Sequence, residues 1–509
     1  MNKKFLAIPL VAVACLGGLL MTASECKALD DELGENGTQV PHTHSYAEST
    51  VTPTCTHGGY VLHKCACGDE YKTDEVEKTA HNYVNYVCSG CGTPDPDAPV
   101  TDGFIFAPVT DDGTETGNVT AYSVIGVDLD AYGAVEIVIP KEHNGKPVTR
   151  IHKNAFSGKS EITGVELPET ITEIDDYAFS NCYNLERAQL NEGLQKIAQN
   201  AFWYCNKLKQ INFPSTLTTI EQGAFAYSGL ESINIPAATN QIQSNPFYGS
   251  TSLKEITVES GNAAFYGEGN CVVSKYGEVV IGCKNSVIPT DESVRAIGVA
   301  AFQSVEFEEL LLLPDNITEI ASWAFAFGYG GIALPQRLQA IGDYAFNGRP
   351  MGNLIIPESV IFIGSFAFEN CGIDSVTFGN PFDDDYLNPE NQVRLERIED
   401  FAFANNYIRN FVIPASVKHV GNDIFHLTDP NYGRYPETVT VEDVENWQFE
   451  FYSEQTNYLY VDITPSLLEK PEDVALYFSE DVNVWAKQII TSDLPSDVNL
   501  ISYRIIKKI

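Results

Sequence analysis

A dipeptide, Ala-Phe, returns along this chain on a fixed spacing, and that spacing limits what the chain can fold into more than any other feature. It stands at Ala155-Phe156, Ala178-Phe179, Ala201-Phe202 and Ala224-Phe225, three successive steps of 23 residues. After an irregular interval it resumes at Ala301-Phe302, Ala324-Phe325, Ala345-Phe346, Ala367-Phe368 and Ala402-Phe403, with Pro246-Phe247 and Ile424-Phe425 as degenerate copies. A constant period between roughly 20 and 50 residues is the signature of a solenoid.

One copy shows why it must repeat. From Leu208 the chain reads Leu208-x-x-Ile211-x-Phe213-Pro214, then Leu217-x-x-Ile220, then Ala224-Phe225. The alternating, proline-stopped segment predicts a short strand with Ile211 and Phe213 inward, and Leu217, Ile220, Ala224 and Phe225 line the return path. A single copy offers too few large apolar side chains to offset the entropy of ordering its own length, so each must cover its edge with the next. Stacked this way, equivalent strands form a parallel sheet. Pro140, Pro168, Pro214, Pro236, Pro314, Pro335, Pro357 and Pro414, each directly after a strand, end the ladder at the same height in every coil.

The run Leu-x-x-Ile-x-Ile-Pro-x-x-Val-x-x-Ile-x-x-x-Ala-Phe-x-x-Cys, seen as Leu185 to Cys205 or Leu354 to Cys371, resembles the BspA-like leucine-rich repeat of bacterial surface proteins. The resemblance covers about residues 103–427. The irregular interval, with Asn270-Cys271-Val272-Val273 and Gly282-Cys283-Lys284-Asn285, is similar to that family's hairpin-bearing repeat. The fold implied is a mainly β, right-handed leucine-rich repeat solenoid with parallel strands. The role implied is that of a secreted or surface-displayed bacterial protein that recognises an extracellular protein or glycan, with no catalytic residues.

Charge narrows the partners. Against 31 Lys and Arg stand 69 Asp and Glu, a net charge of −38, which argues against nucleic acid and anionic lipid. The start of the chain adds a route. Lys3 and Lys4 precede an apolar run from Phe5 to Met21, and Cys26-Lys27-Ala28 offers small residues at a cleavage site, so residues 1–28 read as a signal peptide. Residues 29–41 read as a spacer, and no later transmembrane segment is expected. The C-terminal Ile505-Ile506-Lys507-Lys508-Ile509 carries no sortase-type Leu-Pro-x-Thr-Gly.

Residues 42–99 carry the metal signal. Cys88-Ser-Gly-Cys91 presents two thiolates to one ion, and Cys65-Ala-Cys67 lies 21 residues before Cys88. With His44, Cys55 and His81 these make seven candidate ligands for a structural zinc; His57 and His63 read as exposed loop histidines. Spacing does not select four of them. Export allows disulfides instead, although five cysteines cannot all pair among themselves. The landmarks His-x-Tyr, Pro-Thr-Cys-Thr, Cys-x-Cys-Gly-Asp and His-x-Tyr resemble a small Cys/His module of exported proteins from anaerobic Gram-positive bacteria, which implies a zinc-ribbon-like fold.

Within the array, Cys182, Cys205 and Cys371 share the position three residues after the phenylalanine and read as buried free thiols. Cys271 and Cys283 flank a hairpin and are a candidate disulfide. Residues 100–150 read as an N-terminal cap, 151–426 as the repeats and 427–509 as a C-terminal cap built on strands at Thr438–Val441, Trp447–Phe451 and Tyr458–Val461. The acidic insertion Asp383-Asp384-Asp385, with Asn388 and Glu390, reads as a solvated loop, and Asp128-x-Asp130 as a turn. Outward positions such as Lys209, Gln210, Asn212, Glu231, Asn234, Lys254, Asp374 and Arg409 are mostly polar, the strands show no aromatic rows, and no Ser/His/Asp or Cys/His set assembles. A monomeric recognition protein is therefore expected rather than an enzyme. The alternative is a secreted hydrolase working on polysaccharide with solenoid carboxylates, which would need two of them facing across a deep cleft.

Overall fold

In the computed structural model the described residues are 46–65, 70–84, 86–88, 90–91, 100–101, 103–114, 116–129, 136–379, 392–422, 424–427, 433, 436, 438–441, 447–453, 457–462 and 500–507. The expected signal peptide and spacer, the Asp383–Asp385 insertion and Asp130 lie outside them. Two compact units are present, one holding residues up to Val51 together with Tyr60–Glu75, the other Thr52–Gly59 and everything from Val76 onward.

The smaller unit is an antiparallel sheet of Tyr46–Val51, Gly59–Cys65 and Glu70–Val76, with Tyr46 opposite Cys65 and Val51 opposite Tyr60. His63 is not a loop residue. It sits in the central strand, stacks on Tyr71 at 4.5 Å and bonds Thr73 Oγ1 at 2.7 Å.

The larger unit is the parallel-strand β-solenoid the period predicts. Its longest sheets do not lie where the sequence pattern puts them. They run along the return path, where two-residue strands stack in register: Ile151, Ile174, Ile197, Ile220 and Ile242 in one sheet, then Val279, Ile297, Ile320, Ile341, Ile363, Ile398 and Val420 in another. The proline-stopped front strands form short separate ladders, such as Gly164–Glu166 with Arg187–Gln189 and Asn353–Ile356 with Ser375–Phe378. Ile211–Phe213 is a departure, because it forms no regular ladder. A bond from Glu231 N to the Lys209 carbonyl (3.0 Å) ties this stretch to the following coil, and Ile211 and Phe213 are held mainly by packing. The front prolines after Pro140 open turns: the carbonyls of Pro168, Pro214, Pro236, Pro314, Pro335, Pro357 and Pro414 accept from the N–H three residues on at 3.0–3.1 Å.

The Ala-Phe dipeptide is where coils lock together. Phe156, Phe179 and Phe202 donate their N–H to the carbonyls of Ala178, Ala201 and Ala224 in the next coil at 2.7–2.8 Å, and the link recurs from Phe302 through Phe368. Where alanine is replaced, Pro246 and Ile424 supply the same carbonyl to Phe225 and Phe403. The rings stack in two files, Phe156 to Phe247 and Phe302 to Phe403, with centroids 4.9–5.5 Å apart and planes within 12°. Residues two before and two after each Ala-Phe phenylalanine adopt positive φ, for example Asn154 (61°), Tyr177 (57°), Asn181 (60°), Trp323 (62°) and Asn370 (55°). This left-handed pair tightens the turn so that three alternate N–H groups all point to the following coil.

The phenylalanine carbonyl is buried; at Phe156, Phe179, Phe225 and Phe346 it accepts from the N–H three residues on, and a second donor comes from the next coil. The residue three after the next coil's phenylalanine supplies it: Cys182 Sγ to Phe156 O (3.1 Å), Cys205 Sγ to Phe179 O (3.3 Å), Ser250 Oγ to Phe225 O (2.9 Å), Cys371 Sγ to Phe346 O (3.1 Å) and Asn406 Nδ2 to Phe368 O (2.8 Å). In one coil the donor is Arg349, which is fully buried. Its Nε donates to Phe325 O (2.7 Å), Nη1 to Tyr329 O and Gly330 O (2.8 and 3.0 Å), and Nη2 to Val305 O (2.7 Å), two coils back. It reaches that far because Gly328 occupies the equivalent place in the intervening coil. A Cβ there would collide with Arg349 Nη2 and the Val305 carbonyl. Burial pulls the guanidinium down to about 10, so it stays charged at neutral pH.

At the N-terminal end Phe104–Thr110 and Val119–Val127 pair antiparallel, and Val119–Val127 runs parallel to Lys146–Ile151 of the first coil. At the other end the front file continues past Phe425, since Thr438–Val441 runs parallel to Asn410–Ile413. Trp447–Ser453, Asn457–Asp462 and Leu500–Lys507 then form an antiparallel group on the strand His419–Asn422.

Replacing Arg349 by leucine leaves four inward carbonyls without that donor, and each unmade bond of this kind costs about 1–3 kcal/mol. Urea unfolding of Arg349→Leu is expected to show a loss of at least about 3 kcal/mol, whereas Cys371→Ser, which keeps a donor toward Phe346 O, should lose less than about 1 kcal/mol.

Candidate functional site

The densest chemistry among the described residues lies just before the solenoid. Thr54 Oγ1 accepts from the N–H groups of Thr56 and His57 (both 3.2 Å), a side-chain turn that presents Cys55 between them. A bond from Thr79 N to the Thr54 carbonyl (3.0 Å) brings the chain back alongside, two residues before His81. Tyr83–Val84 then pairs with Val87–Cys88 through a turn in which Tyr86 has φ 66°, and Cys91 follows.

This folding brings Cys55, His81, Cys88 and Cys91 together with every ligand atom within 4.8 Å of the others. Cys55 Sγ and Cys88 Sγ are 3.6 Å apart, and Cys91 Sγ is 3.4 Å from His81 Nδ1. A disulfide would hold its sulfurs at about 2.05 Å. Four ligands at roughly 2.0–2.3 Å from a tetrahedral centre instead lie about 3.4–3.7 Å from each other. Gly90 makes room for the arrangement, because a Cβ on it would sit 3.3 Å from Cys55 Sγ and 4.0 Å from Cys88 Sγ. Three sulfurs and one imidazole therefore fit a closed Cys3His site, and four ligands leave no coordination position open.

The donors share their protons unequally. The imidazole of His81, helped by the backbone N–H groups of Gly90 and Cys91, draws the buried Cys88 thiol down to about 5. Bonding to Cys91, burial and the nearby Cys88 push Cys55 up to about 11, and Cys88 in turn raises His81.

Of the seven ligands the sequence offers, these four converge. His44 and Cys67 lie outside the described residues, and Cys65 ends the strand Gly59–Cys65 in the other unit. His57 is exposed, and His63 is engaged by Thr73 and Tyr71. Cys271 and Cys283 are free thiols in separate core clusters, Cys271 with Phe302 and Cys283 with Phe247. Cys283 Sγ accepts from Asn270 Nδ2 at 3.1 Å.

The second candidate is the outer surface of the coils. Along the front strands the central outward position reads Val138, Glu166, Gln189, Asn212, Asn234 and Thr257 in the first half, and Leu312, Ala333, Ile355, Thr377 and Val412 in the second. The polar surface expected from sequence holds in the first half from Glu166 to Thr257, while Val138 at its start is apolar and exposed. In the second, Leu312 is 68% exposed, Ile355 44% and Val412 40%. Aromatic rows are also present, on the turns rather than the strands: Trp323, Tyr344, Phe366 and Phe401 stack at 4.2–4.8 Å. Each inner ring has both faces covered by its neighbours, so the row offers edges and not the flat faces on which sugars stack.

Residues 136–268, 280–384 and 328–450 match the BspA type Leucine rich repeat region in six copies, more than half the chain. The chain belongs to this family. Among solved structures this BspA-type protein is similar to the pneumococcal vaccine antigen PcpA, with 22% identity over 68% of this chain and 98% of that one and a TM-score of 0.47. It is similar to a leucine rich cell surface protein of Faecalibacterium prausnitzii (18%, 66% and 95%, 0.38) and a leucine-rich repeat protein of Eubacterium ventriosum (18%, 64% and 93%, 0.42). No curated protein matches.

The unequal protonation is measurable. In the metal-free BspA-type protein the ultraviolet thiolate signal should persist from neutral pH downward and vanish as pH falls through about 5. Cys88→Ser should abolish that step and Cys55→Ser should not.

Proposed function

We propose that this chain is a secreted or cell-surface bacterial protein that recognises an extracellular macromolecule through the front file of its solenoid, without catalysis. The observation that carries the reading is the apolar row Leu312, Ile355 and Val412. These side chains stand outward on strands whose inward residues already complete the core, so the fold has no need of them. Burying them against a partner would contribute about 25 cal/mol per Å² of apolar area. The acidic surface favours a protein or glycan over nucleic acid or anionic lipid. The signal-like residues 1–28 and membership of the BspA-type family support export. Residues 103–427 supply the recognition unit, and the strands after Val441 cover its last coil.

Its carboxylates favour recognition over hydrolysis. Asp175, pushed up to about 6 by burial, is held by Arg150 Nε at 2.8 Å, in a row where Arg150, Glu173, Lys196 and Glu221 alternate in charge. Glu369, also raised by burial, accepts from Asn347 at 2.7 Å and Asn405 at 3.1 Å. Both are tied into structural networks, whereas a general acid has to face a substrate.

The Cys3His cluster binds a structural zinc in this reading. The metal would hold Cys55, His81, Cys88 and Cys91 as one knot ahead of the first coil and would supply folding free energy rather than chemistry.

Two measurements test these statements. Full-length protein purified under reducing conditions is expected to carry about one zinc per chain, with Cys88→Ser carrying none; a metal-free wild type that melts at the same temperature with and without zinc overturns the assignment. Against a panel of purified matrix proteins and glycans, Ile355→Lys with Val412→Lys should weaken a wild-type interaction by at least about tenfold with an unchanged melting temperature. Turnover of a polysaccharide would instead support the hydrolase.

A further inference from the structure

The stack of coils is interrupted once among the described residues, and its three sides are closed unequally there. On the return path three strands, Phe265–Glu268, Cys271–Ser274 and Glu278–Ile281, enter ahead of Ala296–Ile297. The turn edge passes straight across: Gly249 N donates to Gln303 O (3.3 Å), and Asn245 Nδ2 to Ala300 O (2.9 Å) and Ala301 O (3.1 Å). The front file does neither. Glu255–Val258 pairs with Ser232–Ile235, and Leu311–Leu312 pairs with Ile332–Ala333, but these two ladders are not joined to each other.

The facing edges of the break are treated differently. On one side Asn270 stands in for the missing strand, its Oδ1 accepting from Ile256 N (2.7 Å) and its Nδ2 donating to Lys254 O (2.9 Å). On the other nothing does so among the described residues. Leu311 N donates to Gly331 O (3.0 Å) and Leu313 N to Ala333 O (3.3 Å), so alternate residues serve the following coil. The intervening N–H and C=O groups, those of Leu310 and Leu312, are aimed into the break. An uncovered strand edge is a template for another strand, and proteins usually blunt it. Here one edge is blunted and its counterpart is left open, with Leu310 60% exposed beside it.

The break is also a cavity of about 380 Å³, between Thr251 and Leu253 on one side and Glu306 to Leu311 on the other, floored by Gly282 to Asn285. That is within the range of roughly 300–1,000 Å³ that small ligands and anchoring groups occupy. Buried Phe247, Leu253 and Phe307 give it an apolar patch within a lining that is otherwise largely polar, and its rim carries Glu306, Glu308 and Glu309 against the single lining cation Lys284.

Resting on the recognition reading and naming its partner class, we propose that this edge and cavity take an extended, basic peptide segment by strand addition. The peptide backbone pairs with Leu310 and Leu312, an apolar side chain enters the cavity, and flanking Lys or Arg residues meet the three glutamates. The row Leu312, Ala333, Ile355 continues from the same edge, so a bound strand would lie flush with the recognition surface.

The test uses the full chain and an array of fluorescent peptides of about ten residues alternating Lys with Val, Thr, Leu or Tyr, in roughly 0.15 M salt. At least one is expected to bind, with slowed amide exchange at Leu310 and Leu312. Methylating its alternate backbone amides, replacing its Lys by Glu, or introducing Glu308→Lys with Glu309→Lys should each weaken binding at least about tenfold. Leu312→Pro, tolerable on an edge strand because the lost N–H faces the break, should do the same, whereas Ile355→Lys with Val412→Lys should leave peptide binding in place. Absence of binding across the array overturns the proposal, and so does binding indifferent to backbone methylation and to Leu312→Pro, which would be charge attraction alone. If the array fails while the Ile355 and Val412 face still engages a purified macromolecule, the recognition reading stands and only the strand-addition site falls.

Discussion

The bond from each Ala-Phe phenylalanine N–H to a carbonyl in the next coil is the constraint on which the remaining structure depends. It fixes the rise between coils at the turn, and the rings follow at 4.9–5.5 Å, close to the roughly 4.8 Å that β-strands need on the other sides. Because the two spacings agree, the return strands can be only two residues long and still form continuous sheets. The bond also creates a debt. Driving the phenylalanine inward buries its own carbonyl, which the following coil answers at most steps with a thiol, hydroxyl, carboxamide or guanidinium, while at Phe202 and Phe302 the N–H three residues on serves it. Cysteine recurs there because it is a small, apolar side chain that can still donate, and burial keeps it protonated: the Cys182 thiol is pushed up to about 12.

The same turn explains a choice that local preference alone would not favour. Left-handed backbone normally calls for glycine or asparagine, and a bulky residue there costs on the order of 1 kcal/mol. The first half mixes Asn154, Asn200 and Gly223 with Tyr177 at the leading position, but the second half places Trp323, Tyr344, Phe366 and Phe401 there. Their stacking at 4.2–4.8 Å, each such pair worth about 0.5–1.5 kcal/mol, is of the size needed to offset the strain. Stabilisation at these turns thus comes from outside the coil as well as from its core.

This accounts for what could be read beforehand. The period, the inward Ala-Phe and the strand-ending prolines are one-residue rules repeated many times, so the solenoid was legible, as was the Cys-x-x-Cys pair at Cys88 and Cys91. The return sheets were not, because two residues are too few to show an alternation. Arg349 was hidden as well. An arginine in the cysteine position reads as a surface residue until Gly328, a coil earlier, is seen to clear its path to Val305. Selecting Cys55 over Cys65 required the turn at Thr54 and the bond to Thr79, neither of which spacing encodes. The apolar positions were concealed because residues more than 20 apart come to share one outward face only once the register is known.

A repeat that satisfies each coil's donors with the next coil's acceptors leaves no room for a binding cavity, since every interface is closed by the same rule that builds it. A site has to come from a breach of that rule, and the breach here is confined. Pro246 keeps the carbonyl that Phe225 requires, and Gly282 leaves space for the Phe302 ring, so both phenylalanine files end without an unmet bond or a clash. Asn270 settles the edge at Ile256 in the same way. The turn edge also crosses the break unopened, which holds the two halves at a fixed separation while the front ladders stay apart. With these compensations in place, the front edge at Leu310 and Leu312 is left unanswered among the described residues. In a fold built from coils that finish one another, an unfinished strand is the natural place for another chain to enter.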